Sequence, residues 1–123
     1  MSLPLPDNPS AGEILIGFCT VPDRDSAERI AATLVTERLA ACVNIIPQVV
    51  SVYRWQGQVE RSDELLLLIK TTRQVRADVL RDRLLTLHPY DVPEFLLVPV
   101  ASGLDKYVAW VTQSVGAMAG ENP

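Results

Sequence analysis

Two hydrophobic rhythms alternate along the chain. Glu13–Thr20 is a short apolar run closed by Pro22, which predicts a buried strand. Ala27, Ile30, Ala31, Leu34 and Val35 then recur at i, i+3, i+4, i+7 and i+8, one apolar helical face with Arg29, Glu37 and Arg38 on the solvated side. Asp23 or Asp25 caps this helix, and Asp25 with Glu28 has capping-box spacing. From Ala41 to Thr71, two runs rich in β-branched and aromatic residues meet at Gln56-Gly57-Gln58, a hairpin signal in which Gly57 takes positive φ. Each arm is about twice the usual strand length of about 5–6 residues. Pro47 places part of the first arm at an edge or a bulge. Leu65–Ile69 lacks alternation, which predicts a strand covered on both faces.

Thr71 or Thr72 caps a second helix carrying Val75, Val79, Leu80 and Leu84, and the two prolines of His88–Pro93 end it. Glu94–Val100 reads as a fourth strand. Ser102 and Asp105 then form a capping box before a last helix with Leu104, Tyr107, Val108, Val111 and Val115 on one face. The order β-α-β-β-α-β-α predicts an α+β protein: a ferredoxin-like split β-α-β sandwich with a long hairpin and a C-terminal helix. The folded domain is expected over 13–115, with a Pro-rich disordered leader over 1–12 and a flexible tail over 116–123. A hairpin this long overhangs a small domain, and its edges invite pairing with other copies, so a homo-oligomer is expected.

Composition narrows the function. The net charge is −4 and only Lys70 and Lys106 are lysines, so no basic stripe for nucleic acid forms. The opening residues lack a basic segment followed by an apolar one, and no apolar run approaches a membrane span. A cytoplasmic protein with no membrane or nucleic-acid partner is therefore expected, with its two cysteines reduced.

The topology carries Cys19, the Gln56-Gly57-Gln58 turn, His88, Asp91 and Glu94 to one end, and Cys42 to the other, which disfavours a Cys19–Cys42 disulfide. Cys19, His88 and Glu94 offer a thiolate, an imidazole and a carboxylate, a donor set suited to copper or zinc. The plainer alternative is a buried strand cysteine and a histidine at a helix C-terminus. Tyr53, Trp55, Tyr90, Tyr107 and Trp110 line either an intersubunit pocket or an oligomer contact. Lys70 ends an apolar strand and calls for a carboxylate partner, Glu64 or Glu94, unless it snorkels. No nucleophile–base pair with an orienting group is legible, so no catalytic residue is assigned.

Phe18-Cys19-Thr20-Val21-Pro22, Leu39–Ile45, Tyr53-Arg54-Trp55-Gln56-Gly57, Ile69-Lys70-Thr71-Thr72 and His88–Glu94 occur in this order. Together they resemble the CutA family, the divalent-cation tolerance proteins, over about Glu13 to Val115. The resemblance implies a homotrimer whose long hairpins pair between subunits. It also implies copper or another divalent metal as ligand, with Cys19 and His88 at two of the family's ligand positions. A further family histidine is Leu87 here, leaving Glu94, water or a neighbouring subunit to complete the set. Tyr53, Trp55, Lys70, Tyr90, Glu94 and Trp110 match an intersubunit cleft. Two other functions stand beside metal tolerance: a signalling module binding a small acidic effector through Lys70, and an enzyme using Lys70, Tyr90 and Glu94.

Overall fold

Seven elements follow in the expected order: β1 Ile14–Val21, α1 Arg24–Thr36, β2 Cys42–Trp55, β3 Gln58–Thr72, α2 Ala77–Leu87, β4 Leu96–Pro99 and α3 Asp105–Ser114. They come from a computed structural model that describes residues 13–116; the expected leader and all but the first residue of the expected tail lie outside the described residues. The strands form one sheet in the order β2-β3-β1-β4, antiparallel throughout. This is the ferredoxin-like arrangement.

Local chemistry explains the elements. The β2–β3 connection is a two-residue turn between the paired Trp55 and Gln58. Gln56 (φ 51°) and Gly57 (φ 81°) both adopt positive φ, the backbone that matches the twist of the flanking strands. Ladder pairing slips between Ile46 and Val49, where Pro47 donates no hydrogen bond and Gln48 adopts φ 62°. So Pro47 lies both at a bulge and on an edge strand. In α1 the cap is Asp23, whose Oδ1 accepts the Ser26 N–H at 2.7 Å. That bond, reinforced by the Ser26 hydroxyl, holds the Asp23 carboxyl below its ordinary range. Asp25 lies inside the first turn, so the Asp25–Glu28 box is not used.

Two other expected caps are absent. Thr71 and Thr72 stay in β3, paired with Leu15 and Ile14, because the ladder continues through them. The Thr71 hydroxyl donates to the Leu39 carbonyl at 2.8 Å, and Thr72 Oγ1 accepts the Gln74 N–H. Helix α2 starts only at Ala77, after Arg76, and α3 after Leu104; neither N-cap has a side-chain bond. The Ser102–Asp105 box therefore does not form. β4 is also shorter than expected, since only Leu96–Pro99 pairs with β1. Val35, Val79, Leu104 and Tyr107 sit off the buried faces of their helices and are exposed.

Alternation along β1 and β3 sorts side chains onto two faces. Cys19, Val21, Leu67 and Ile69 point to the side where Ile30, Leu34, Leu80, Leu84, Val108 and Val111 close one continuous core. Leu97, Val43 and Ile45 flank that core from β4 and β2. On the other face stand Ile16, Phe18, Leu66 and Leu68, with Leu96 and Val98 on β4 still 61% and 47% exposed. No described helix covers them. The apolar run Leu65–Ile69 is thus covered on one face within the chain, whereas its pattern predicts cover on both.

Candidate functional site: an acidic, aromatic cleft

Pairing of β1 with β3 ends at Val21 and Leu65, yet β3 continues back to Gln58. At about 3.3 Å per residue the hairpin overhangs by roughly 23 Å. Its tip therefore lies well beyond Cys19 and His88, and the Gln56-Gly57-Gln58 turn does not join them as expected. The hairpin residues that do line a hollow with the His88–Glu94 loop are Ser51, Val52, Tyr53 and Glu64 along its arms and Trp55 just before the turn. They enclose a cleft of about 730 Å³ walled by Tyr53, Trp55 and Tyr90 and by the carboxylates Glu64, Asp91 and Glu94.

A chain of hydrogen bonds fixes the loop. His88 follows the last turn of α2, its N–H bonded to the Leu84 carbonyl at 2.9 Å. Tyr90 N–H donates to His88 Nδ1 at 3.1 Å, so the proton of the neutral ring sits on Nε2, which donates to the Thr20 carbonyl at 2.8 Å. The His88 and Tyr90 rings lie 4.9 Å apart. The Tyr90 hydroxyl then donates to Glu64 Oε2 at 2.8 Å. Burial, followed by this bond and the Glu64 charge, pushes the Tyr90 phenol above its ordinary value. Glu64 is only 7% exposed, and among the described ion pairs none involves it. On the hairpin, the Tyr53 and Ser62 hydroxyls share a bond of 2.8 Å.

Cys19, His88 and Glu94 do not assemble a coordination group. Cys19 is wholly buried, turned into the helix-covered core beside Leu67, with its thiol directed to the Thr20 carbonyl at 3.7 Å. Burial, and then the charges of Glu94 and Glu64, push that thiol up to about 12, so it holds its proton at neutral pH. Both His88 nitrogens are committed to backbone groups. Glu94 is exposed on the cleft. Among the described residues no group of three or more His, Cys, Asp or Glu side chains is placed to hold a metal. The donor set therefore does not fit copper within one chain. The plainer alternative, a packed strand cysteine and a histidine at a helix end, describes what is found.

Of the six residues expected at an intersubunit cleft, Tyr53, Trp55, Tyr90 and Glu94 line this hollow of the single chain, and Lys70 and Trp110 lie elsewhere in the same chain. Lys70 pairs in register with Cys42 at the far end of β3, and its Nζ donates to Asn44 Oδ1 and lies 3.8 Å from Cys42 Sγ. Its partners are thus an amide and a thiol rather than Glu64 or Glu94. Trp110 lies on α3 against Tyr107, ring centroids 5.6 Å apart. Glu64 is the cleft residue that the hydrophobic pattern does not announce. The signal for it is the hairpin register: counting back from the turn, with a bulge at Pro47, puts Glu64 on the same face as Tyr53 and Trp55. Both cysteines are free. Cys42 follows Lys70 onto the open face while Cys19 follows Leu67 onto the covered one, which keeps the two thiols apart.

Fold and cleft together define a class: small ferredoxin-like α+β proteins with one sheet face left open and a ligand-sized hollow beside a long hairpin. Within it, the sequence profile described as CutA1 divalent ion tolerance protein matches residues 15–114, and the chain belongs to that family. A divalent-cation tolerance protein CutA of Thermus thermophilus is 50% identical over 97 residues, covering 79% of this chain and 93% of that protein. Protein CutA of Homo sapiens is 41% identical over 102 residues, 83% of this chain. The chain spans only 56% of the human protein and 54% of the chloroplastic CutA of Arabidopsis thaliana. Among solved structures, the Thermus thermophilus protein superposes with a TM-score of 0.81 at 47% identity, covering 84% of this chain and 99% of that one. CutA1 of Oryza sativa gives 0.82 at 37% identity, covering 87% and 97%. An Archaeoglobus fulgidus structure (33% identity, TM-score 0.79, covering 84% and 99%) is described as a periplasmic divalent cation tolerance protein.

Proposed function

We infer that this chain acts in divalent-cation tolerance as a cytoplasmic homotrimer, assembled through the open face of its sheet and the overhanging hairpin. One observation carries the assembly. Ile16, Phe18, Leu66, Leu68, Leu96 and Val98 form an apolar sheet face that none of the described helices covers. Contiguous apolar surface of that kind marks an interaction site. The edge strand β2 adds a long row of pairing groups beside it. The family resemblance implies the number three.

The reading is non-catalytic: relatives are named for tolerance rather than for a reaction. Copper or another divalent ion is the stress that the protein answers, without a buried site at Cys19. Free thiols at Cys19 and Cys42 suit the reducing cytoplasm, although named relatives include chloroplastic and periplasmic proteins. No described helix is long and apolar enough to cross a membrane.

Sedimentation tests the assembly. Wild-type protein is expected at three times the chain mass, and Leu68→Asp, which buries a charge in the contact, at a lower mass. A monomeric wild type, or a Leu68→Asp protein that stays trimeric, would remove the open face from the reading.

A further inference from the structure

Helix α1 ends on a backbone shape that glycine usually supplies. Arg38 N–H donates to the Val35 carbonyl at 3.1 Å and Leu39 N–H to the Leu34 carbonyl at 2.9 Å, the paired bonds that close a helix through one left-handed residue. That residue is Arg38, at φ 62°. Arginine is strained in this region, and such outliers persist where the surrounding structure holds them. The closing bonds use backbone alone, so they do not need the guanidinium.

The side chain reaches the other end of the domain. Arg38 Nε donates to the Gly116 carbonyl and Nη2 to the Gln113 carbonyl at 3.1 Å, while the Gly116 N–H donates to the Arg38 carbonyl at 2.9 Å. All three bonds fall on the C-terminal end of α3. Carbonyls at a helix C-terminus lack partners within the helix, and the dipole makes that end negative. Helix α3 has no basic residue in its own last turn. Arg38 brings the cation from outside, with a planar fork that meets two carbonyls at once.

Helix α3 depends on such help. Its 10 residues, Asp105–Ser114, are fewer than an isolated helix needs in water, and Tyr107, Val108, Trp110, Val111 and Thr112 are weak helix formers. Leu104 gives its N-terminus no side-chain cap bond. Val108, Val111 and Val115 bury its inner face, chiefly over β1 and β3. These valines are smaller than Ile30, Leu34, Leu80 and Leu84, which anchor α1 and α2, so apolar burial holds α3 less firmly.

We propose that α3 is a strap that opens as one unit while the rest of the domain stays folded, and that Arg38 is the latch that sets how often it opens. Opening bares Val108, Val111 and Val115 and the sheet beneath them. The latch bonds lie within one chain, so the device does not rest on the assembly or tolerance readings.

Native-state hydrogen exchange on the full chain, read by mass spectrometry in increasing sub-denaturing urea, tests this. In wild type, α3 amides are expected to exchange faster than those of β3 and with little dependence on urea, as local opening does. Arg38→Gly is the informative variant, since glycine relaxes the left-handed backbone and removes only the guanidinium. It should speed α3 exchange at least roughly tenfold, the loss expected for two charge-assisted hydrogen bonds, and leave α1 and β3 exchange unchanged or slower. Unchanged α3 exchange in Arg38→Gly would overturn the latch. Exchange of α3 and β3 at one rate and one urea slope in wild type would overturn the strap, as would equal acceleration of both in Arg38→Gly. An Arg38→Gly protein that fails to fold would overturn it too, because release of the strap would then be loss of the domain.

Discussion

Leu66 and Leu67 are adjacent, chemically identical and placed on opposite faces of one strand. Leu67 is wholly buried against Ile30, Leu34 and Leu84 in the core; Leu66 is half-buried on a face that no described helix covers. The same division separates Cys19 from Cys42 and Ile69 from Leu68. The run Leu65–Ile69 is apolar on both faces in a sheet with helices on one side. One half of its side chains drives folding of the chain, and the other half is the face that the proposed assembly would cover. The contrast teaches that burial inside the chain, rather than hydrophobicity, marks a folding residue.

Substitution on each face sharpens the contrast. Leu67→Ala removes methyl groups from a closed core and should destabilise the fold by about 2–5 kcal/mol. That loss should be independent of protein concentration in denaturant titrations. Leu66→Ala is expected to lose stability mainly through assembly, so its midpoint should move with concentration while Leu67→Ala's does not. Equal, concentration-independent losses for both would erase the distinction.

The cysteines test the same division by chemistry. The Cys19 thiol is expected to resist alkylation at pH 8 in the folded protein, since burial holds its proton up to about 12. The unfolded thiol ionises near its ordinary value, so the native state keeps a proton that the unfolded state has lost. This contribution to stability is complete below the unfolded value and disappears as pH rises toward the folded one. Wild type should therefore lose stability between about pH 9 and pH 12 more steeply than Cys19→Ser. Copper affinity should be the same in the two proteins, because Cys19 faces the core. A sharp loss of affinity in Cys19→Ser would restore the thiolate site that the packing argues against.

The smallest effect is expected at the hairpin tip. A Cβ at Gly57 would meet nothing within 4 Å, so only its positive φ opposes substitution. Gly57→Ala should cost about 1 kcal/mol through the backbone alone, read from thermal unfolding. A loss as large as that of Leu67→Ala would mean the tip is packed against something outside the chain.

Much of the fold was legible because its signals are local. The period of Ala27, Ile30 and Leu34, the turn at Gln56-Gly57, the break at Pro47 and the stop at Pro89 each act within a few residues. The caps were legible only at Asp23. Threonine or serine before a helical pattern is a good cap only where the strand has already ended, and β3 runs on through Thr72 to finish its ladder with β1. The hollow was legible only in part. The aromatics Tyr53, Trp55 and Tyr90 stood out in the sequence, and the family resemblance grouped them with Glu94. Where Lys70 lies relative to them within one chain depends on how far the hairpin overhangs, a length set by where β1 stops pairing.

The sequence by itself determined the order of elements, the tight turn, the bulged edge strand and the single core face of each helix, since these follow from side-chain periodicity and backbone stereochemistry. Tertiary structure alone decided that Cys19 is a core residue with its proton retained, and that His88 gives both nitrogens to backbone. It alone brought the Tyr90 hydroxyl to Glu64. The physical reason is that protonation, ligand geometry and field depend on which side of the sheet a side chain faces and what packs there. Those are properties of neighbours distant in the chain.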